Sequence, residues 1–332
     1  MPGSSLHADN DFHPSASWKN LRLRAELLHT VRAFFDGHGF LEVETPLLSA
    51  DTVVDRHLDP FAVIVADPAR SGGLRSFWLQ TSPEFGMKRL LASGGTAIYQ
   101  IARVFRQDER GPLHNPEFTM VEWYRVGDSP AEGMRLLSDL GEAILGRGPA
   151  EWVTYAEAFQ RFLGIDPHGA EGAALLAAAR SNQVASPASL AAEDRDGWLD
   201  LLLTECVQPH LGTARPVILY DYPASQAALA RVRSGPPAVA ERFELYVDGI
   251  ELANGYHELL DPAILRRRNA ETNAQRRADG KQPLPEESRL LAAMEAGLPP
   301  SVGVAMGFDR VVMLAAKASR IDEVIAFPME RA

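Results

Sequence analysis

The chain has 332 residues, enough for one large or two medium domains, and its 46% apolar and 23% charged content is that of a globular protein with a sizeable core. A net charge of -11 excludes whole-surface attraction for nucleic acid, and a single cysteine, Cys206, excludes an internal disulfide and suits a reducing compartment. No apolar run approaches the roughly 20 residues that span a bilayer, and residues 1–17 lack the basic-then-apolar layout of a secretory signal, so cytoplasmic residence without a membrane partner is the expectation.

After the polar tail of 1–17, Leu21, Leu23, Leu27, Leu28, Val31 and Phe35 recur at near-helical spacing and predict a helix over 18–37, ended by Gly37 and Gly39. Residues 40–46 read as a short strand stopping at Pro46, and 74–80 as another. Ser82-Pro83-Glu84 opens a helix running to about Leu91, with Ser as N-cap, Pro at the first helical position and Glu against the dipole. Residues 96–106 and 117–126 are rich in Ile, Val, Tyr, Phe and Trp and predict two strands, joined by a polar loop with Gly111 and Pro112. Residues 131–205 read as mostly helical, with no catalytic signal. Strands follow at 216–220 and 242–254, then helices over 262–297 around a Gly280–Pro285 loop. Arg266, Arg267, Arg268, Arg276 and Arg277 read as a solvated helix face there. A strand at 302–306 and a helix from Phe308 to about Ser319 close the chain. Antiparallel strand pairs with helices between them predict an α+β domain.

Four segments carry chemistry. In Phe105-Arg106-Gln107-Asp108-Glu109 and His114-Asn115-Pro116-Glu117-Phe118-Thr119-Met120-Val121-Glu122-Trp123-Tyr124, strand alternation puts Phe118, Met120, Glu122 and Tyr124 on one face. Phe118 and Tyr124 are then about 20 Å apart at roughly 3.3 Å per residue, a span suited to a nucleotide joined to an extended amino acid. Phe118 can stack on a base, Tyr124 beside a carboxylate can hold a cation, and the fork of Arg106 matches phosphate oxygens. An ordinary hairpin with an aromatic core face fits that segment equally well when it is taken alone. In Glu244-Leu245-Tyr246-Val247-Asp248-Gly249-Ile250-Glu251-Leu252-Ala253-Asn254-Gly255, the Asp-Gly turn pairs Val247 with Ile250, Tyr246 with Glu251 and Glu244 with Ala253. Glu244 and Glu251 are then diagonal neighbours, roughly 7–8 Å apart at the backbone, a pair suited to phosphate-bound Mg²⁺; taken alone, the simpler reading is hairpin surface charge. Gly303-Val304-Ala305-Met306-Gly307-Phe308-Asp309-Arg310 sets Arg310 against the local helix dipole, so it needs an anion, either Asp309 or a ligand triphosphate. The fourth segment is Thr81-Ser82-Pro83-Glu84, where a functional carboxylate would add to the capping role. Scattered histidines do not imply zinc, nothing suggests a hydrolytic triad, and there is no Walker A or Gly-x-Gly-x-x-Gly sequence.

In this order the segments resemble the three signature motifs of class II aminoacyl-tRNA synthetases. The helix at 18–37 with its strand and Pro46 is similar to motif 1, Phe105 to Tyr124 to motif 2, and Gly303 to Arg310 to motif 3. Thr81-Ser82-Pro83-Glu84, His114-Asn115-Pro116-Glu117-Phe118 and Gly255-Tyr256-His257-Glu258-Leu259 narrow it to the lysyl branch. The resemblance implies a class II catalytic core over 18–332, with a six-stranded antiparallel sheet flanked by helices, working as a homodimer on ATP and Mg²⁺. It implies catalytic roles for Arg106, Glu251 and Arg310, with Arg106 on the α-phosphate, and Phe118 and Arg310 sandwiching adenine. Gln107, Asp108, His114, Asn115, Leu252 and Gly307 join the ATP site, and Glu244 and Glu251 hold Mg²⁺. Ser82, Pro83 and Asn254 line the amino-acid pocket; Glu84 takes the α-amine, and Tyr124 and Glu258 the ε-amine end. Where the family usually shows Arg, Asn or Asp, then Glu, this chain has Arg106-Gln107-Asp108, leaving Asp108 or Glu109 to meet the adenine edge.

Lysyl-tRNA synthetases carry an N-terminal anticodon-binding barrel; here motif 1 begins almost at once. That layout resembles the elongation factor P–(R)-β-lysine ligases. It implies lysine or (R)-β-lysine as substrate and a lysine side chain of elongation factor P, rather than tRNA, as acceptor. A minimal synthetase charging tRNA and a silent amino-acid-binding regulatory paralogue are the competing expectations.

Overall fold

The computed structural model describes residues 12–67, 73–187 and 190–332, so most of the predicted tail, residues 1–11, lies outside it. The elements in chain order are α1 (Trp18–Gly37), β1 (Leu41–Glu42), β2 (Leu48–Ser49), β3 (Ala62–Ala66), β4 (Leu74–Leu79), α2 (Glu84–Ala92), β5 (Ala97–Phe105) and β6 (Glu117–Val126). The helical stretch holds α3 (Pro130–Leu145), β7 (Glu151–Thr154), α4 (Tyr155–Leu163), α5 (Gly172–Ser181) and α6 (Arg195–Leu202). Then come β8 (Val217–Pro223), β9 (Val232–Arg233), β10 (Val239–Val247), β11 (Ile250–His257), α7 (Pro262–Ala278), α8 (Arg289–Gly297), β12 (Ser301–Gly307) and α9 (Phe308–Ala316).

The main sheet runs β1-β5-β6-β12-β11-β10-β8-β7, with β9 paired on β10. Its six central strands, β5 to β8, are antiparallel, as expected for the family core. Beyond the prediction, β1 and β7 extend it as parallel edge strands. A separate small sheet has the order β2-β4-β3.

Alternation along the central strands creates two unlike faces. Tyr99, Val121, Trp123, Phe243, Leu245, Val302 and Val304 turn to one side and form the main core with α1, α3 and α9. Helix α1 contributes Leu27, Val31 and Phe35 at i, i+4 and i+8, and Phe35 stacks on Tyr99 at 4.5 Å between ring centres. Each such side chain contributes roughly 1.5–3 kcal/mol by leaving water. The opposite face carries polar residues. Helices α4, α5 and α6 pack a second core on β7 and β8 beside it, and α2 and α8 close it from a third side.

Three local expectations are corrected. Asp248 and Gly249, with φ of 50° and 74°, form the predicted turn, and Val247 faces Ile250 and Tyr246 faces Glu251. A bulge then slips the register, so Glu244 faces Asn254 rather than Ala253. The extra residue lets Leu252 and Ala253 both enter the main core while Glu251 stays on the other face. At the start of α2, Pro83 takes the capping position, and the Ser82 hydroxyl accepts from the Glu84 N–H at 3.0 Å as a local turn. On α7 the arginines are not simply a solvated face. Arg276 is buried against Asp59 at 2.6 Å, and Arg268 donates to the carbonyls of Ala228 and Ala230.

Candidate active site

On the polar face, Gln100, Glu122, Ala305, Asn254 and Glu244 stand in direct register across β5, β6, β12, β11 and β10. The next row is Ile98, Tyr124, Gly303, Tyr256 and Arg242. The central strand β12 gives this face only small residues, Ser301, Gly303, Ala305 and Gly307, so a trough runs along it. Its bottom is tight: a Cβ on Gly303 would lie 2.2 Å from Tyr124 Cε1 and 2.3 Å from Glu258 Oε1.

At one end of the trough three buried acids converge from three elements: Glu84 from α2, Glu122 from β6 and Glu258 just past β11. Glu122 accepts from the Tyr124 hydroxyl and the Ser82 hydroxyl, each at 2.6 Å. Burial, then the charge of Glu84, pushes the Glu122 carboxyl up to about 7. Burial likewise pushes Glu258 up to about 8, although Lys88 pulls the other way. The Lys88 ammonium sits between two of the acids, 2.5 Å from Glu84 and 2.5 Å from Glu258. Burial alone would lower it, but Glu258 and Glu84 outweigh that and hold it above its ordinary range. Asn254, in register between Ala305 and Glu244, has a buried side-chain oxygen without a partner among the described residues.

At the other end Arg310 leaves Asp309 and reaches across the trough. It donates to the Glu251 carbonyl at 2.8 Å, meets His114 Nε2 at 2.6 Å and borders the Glu251 carboxylate at 3.9 Å. Burial and the Arg310 charge keep His114 below its ordinary value, so its imidazole is neutral and accepts from the guanidinium. Arg106 lies over the Phe118 ring at 5.1 Å from its centre and pairs with Glu109 at 3.2 Å. Asp108 and Gln107 are exposed, and the Gln107 N–H binds the Asp59 carbonyl. Asn115 is buried, donating to the Glu117 carbonyl and accepting from the Met329 N–H, so it ties the loop to the C-terminal segment. Leu252 buries its side chain, leaving its backbone to line the trough beside Gly307.

Between the ends, the Glu244 carboxylate is enclosed by Arg242 at 2.5 Å, Tyr222 at 2.5 Å and Tyr246. Glu251 keeps part of its side chain open, 38% exposed; its partial burial and the nearby charge of Glu244 push its carboxyl up to about 7. An acid so placed is relieved by a cation. Together with the unpartnered Asn254 oxygen it supplies the hard oxygen donors that Mg²⁺ takes alongside phosphate. The donor set therefore fits, with Glu251 foremost; both Glu244 oxygens are already occupied by protein donors.

Sequence reasoning left out Lys88, Glu122 and Asp309 from the site. Asp309 accepts from Arg24 of α1 and from the Thr119 N–H of β6, both at 2.6 Å, and so fixes the relative placement of Phe118 and Arg310. The signal for Lys88 was its i+4 spacing from Glu84 on one helix, and for Glu122 its shared strand face with Tyr124.

The family described as tRNA synthetases class II (D, K and N) matches residues 10–331. Among curated relatives, an elongation factor P–(R)-β-lysine ligase of Klebsiella pneumoniae subsp. pneumoniae is 48% identical over 97% of this chain and 98% of its own length. Proteins of the same name from Salmonella arizonae and Proteus mirabilis are each 46% identical over the same shares. With the acidic pocket and the arginine cluster held on one antiparallel sheet, the chain belongs to the class II tRNA synthetase family and, within it, groups with the elongation factor P–(R)-β-lysine ligases.

Proposed function

We propose that this protein uses ATP to activate lysine or (R)-β-lysine as an aminoacyl-adenylate and transfers it to a lysine side chain of elongation factor P. The observation carrying this reading is the polarity of one trough: three carboxylates with Tyr124 at one end, and Arg106, His114 and Arg310 at the other. A diamino acid laid along it has its ammonium groups among Glu84, Glu122 and Glu258 and its carboxylate toward the arginines. That carboxylate attacks the α-phosphorus of ATP in line, and pyrophosphate leaves. Arg106 neutralises charge at the α-phosphate, while Phe118 and Arg310 sandwich the adenine. Mg²⁺ bound by Glu251 supplies further neutralisation of the phosphates when present. Rate enhancement comes from positioning and charge neutralisation, with no covalent enzyme intermediate. The acceptor amine then attacks the mixed anhydride, forming an amide and releasing AMP.

The names of the relatives support elongation factor P as acceptor. Exposed Trp18, Leu41, Leu47 and Leu48 around α1, β1 and β2 support a homodimer through that face. Among the described residues no helix is long and apolar enough to cross a membrane, in keeping with a cytoplasmic reaction. Mass spectrometry of elongation factor P after incubation with the enzyme, ATP and each lysine isomer tests the reading. The expected result is a mass increase by one aminoacyl group; an unmodified acceptor together with robust charging of total tRNA overturns it.

A further inference from the structure

We propose that Lys88 is a positioning and specificity-determining residue of the amino-acid pocket, a built-in cation that aims Glu258 and leaves the pocket matched to exactly two ligand ammonium groups. This rests on the amino-acid activation proposed above. The geometry is specific. Lys88 is buried, lies one helical turn after Glu84 on α2, and takes one oxygen each from Glu84 and Glu258. With Oε2 of Glu258 on Lys88, Oε1 lies over Gly303 beside the Tyr124 ring, at the bottom of the trough. With the ammonium on Oε2, the other oxygen, Oε1, is the one turned toward the trough for the ligand to meet.

The charge balance carries the second half. The groups facing this space are Glu84 and Lys88 from α2, Glu122 and Tyr124 from β6, and Tyr256 and Glu258 from β11 and its end. From β12 come Ser301 and Gly303, and α8 contributes Leu290, Leu291 and Met294, none of them charged. With all three acids ionised, as a bound cation requires, three carboxylates against one ammonium leave two negative charges. A ligand with two ammonium groups neutralises both, whereas a mono-amino acid leaves one buried carboxylate unpaired, which is costly. Burial, with the like charge of Glu84 added to it, keeps Glu122 and Glu258 high in their titration.

Lys88→Met tests this by ATP–pyrophosphate exchange across pH 6.5 to 9, with lysine and (R)-β-lysine, varying amino acid and ATP separately. Losing the internal cation raises Glu258 further, so near neutrality it keeps its proton and cannot hold an ammonium. The KM for the amino acid should rise roughly ten- to a hundredfold at pH 7 and recover toward pH 9, while the KM for ATP stays as in the unmodified enzyme. Lys88→Arg keeps the charge and should keep the pH profile. An amino-acid KM in K88M that matches the unmodified enzyme at every pH, or a pH-independent loss shared with ATP, overturns the inference. If K88M does not fold, K88R decides alone: a displaced pH profile overturns it. Exchange absent from the unmodified enzyme instead overturns the activation reading, and this inference with it.

Discussion

Glu258 meets two demands with two oxygens: Oε2 holds Lys88, and Oε1 faces the trough beside Tyr124. Glu258→Gln preserves its size but offers no anion to either cation. The expected outcome is an amino-acid KM raised roughly ten- to a hundredfold with little change in the KM for ATP, read by pyrophosphate exchange. Arg310→Ala should show the reverse split, because Arg310 touches His114 and Glu251 rather than the acidic end. At this scale the sequence was legible where a motif carried the residue: Arg106, Glu84, Tyr124, Glu258 and Arg310 all line one trough. It was not legible for Lys88, and for Glu122 strand alternation gave the face shared with Tyr124 but not a role. A lysine four residues after a glutamate on a helix is ordinarily a surface pair. Only the tertiary approach of Glu258 makes Lys88 internal. Asn115, which the resemblance puts on the ATP side, uses its amide to brace the loop against the C-terminal segment.

At the scale of elements, β12 sets the width of the site. Its small residues on the polar face keep β6 and β11 side chains low and leave room above them. Gly303→Ala adds one carbon where Tyr124 and Glu258 already stand, so one of the two must tilt away. Overpacking of this sort costs about 1–3 kcal/mol. The expected outcome is a lowered melting temperature and a larger loss of amino-acid affinity than of ATP affinity; equal losses for both would show that β12 merely supports the sheet. Periodicity was sufficient to place α1, α2, β5, β6 and the β10–β11 hairpin. It missed the bulge, because the slip exists to admit both Leu252 and Ala253 to a core formed by distant helices. It also missed β7, a four-residue strand with one buried side chain, Val153, whose pairing with β8 is a long-range contact. Helix α1 would read as any amphipathic helix, yet through Arg24 it grips Asp309, so the first motif reaches the other two by a single carboxylate.

For the whole molecule, gathering three acids in one buried pocket has a consequence for stability. Glu122 and Glu258 are each about 1% exposed, and their folded carboxyls titrate near 7 and 8, above the ordinary carboxylate range. Between that ordinary range and pH 8 the folded chain therefore binds more protons than the unfolded chain, and these two groups make stability fall as pH rises. Above pH 8 both states are ionised and the contribution is flat. A diamino acid reverses the trend, because its ammonium groups bind the ionised form. The ligand-free protein should therefore lose melting temperature from pH 6 to pH 8.5, and saturating lysine or (R)-β-lysine should raise it more at pH 8.5 than at pH 6. Differential scanning calorimetry with and without the amino acid measures both slopes. A ligand-induced shift independent of pH would mean that the acids are already ionised in the empty pocket. In Glu122→Gln the ligand-free slope should be shallower, since one of the late-titrating carboxyls is gone while Glu258 and Glu251 remain; an unchanged slope would place the buried protons elsewhere in the fold.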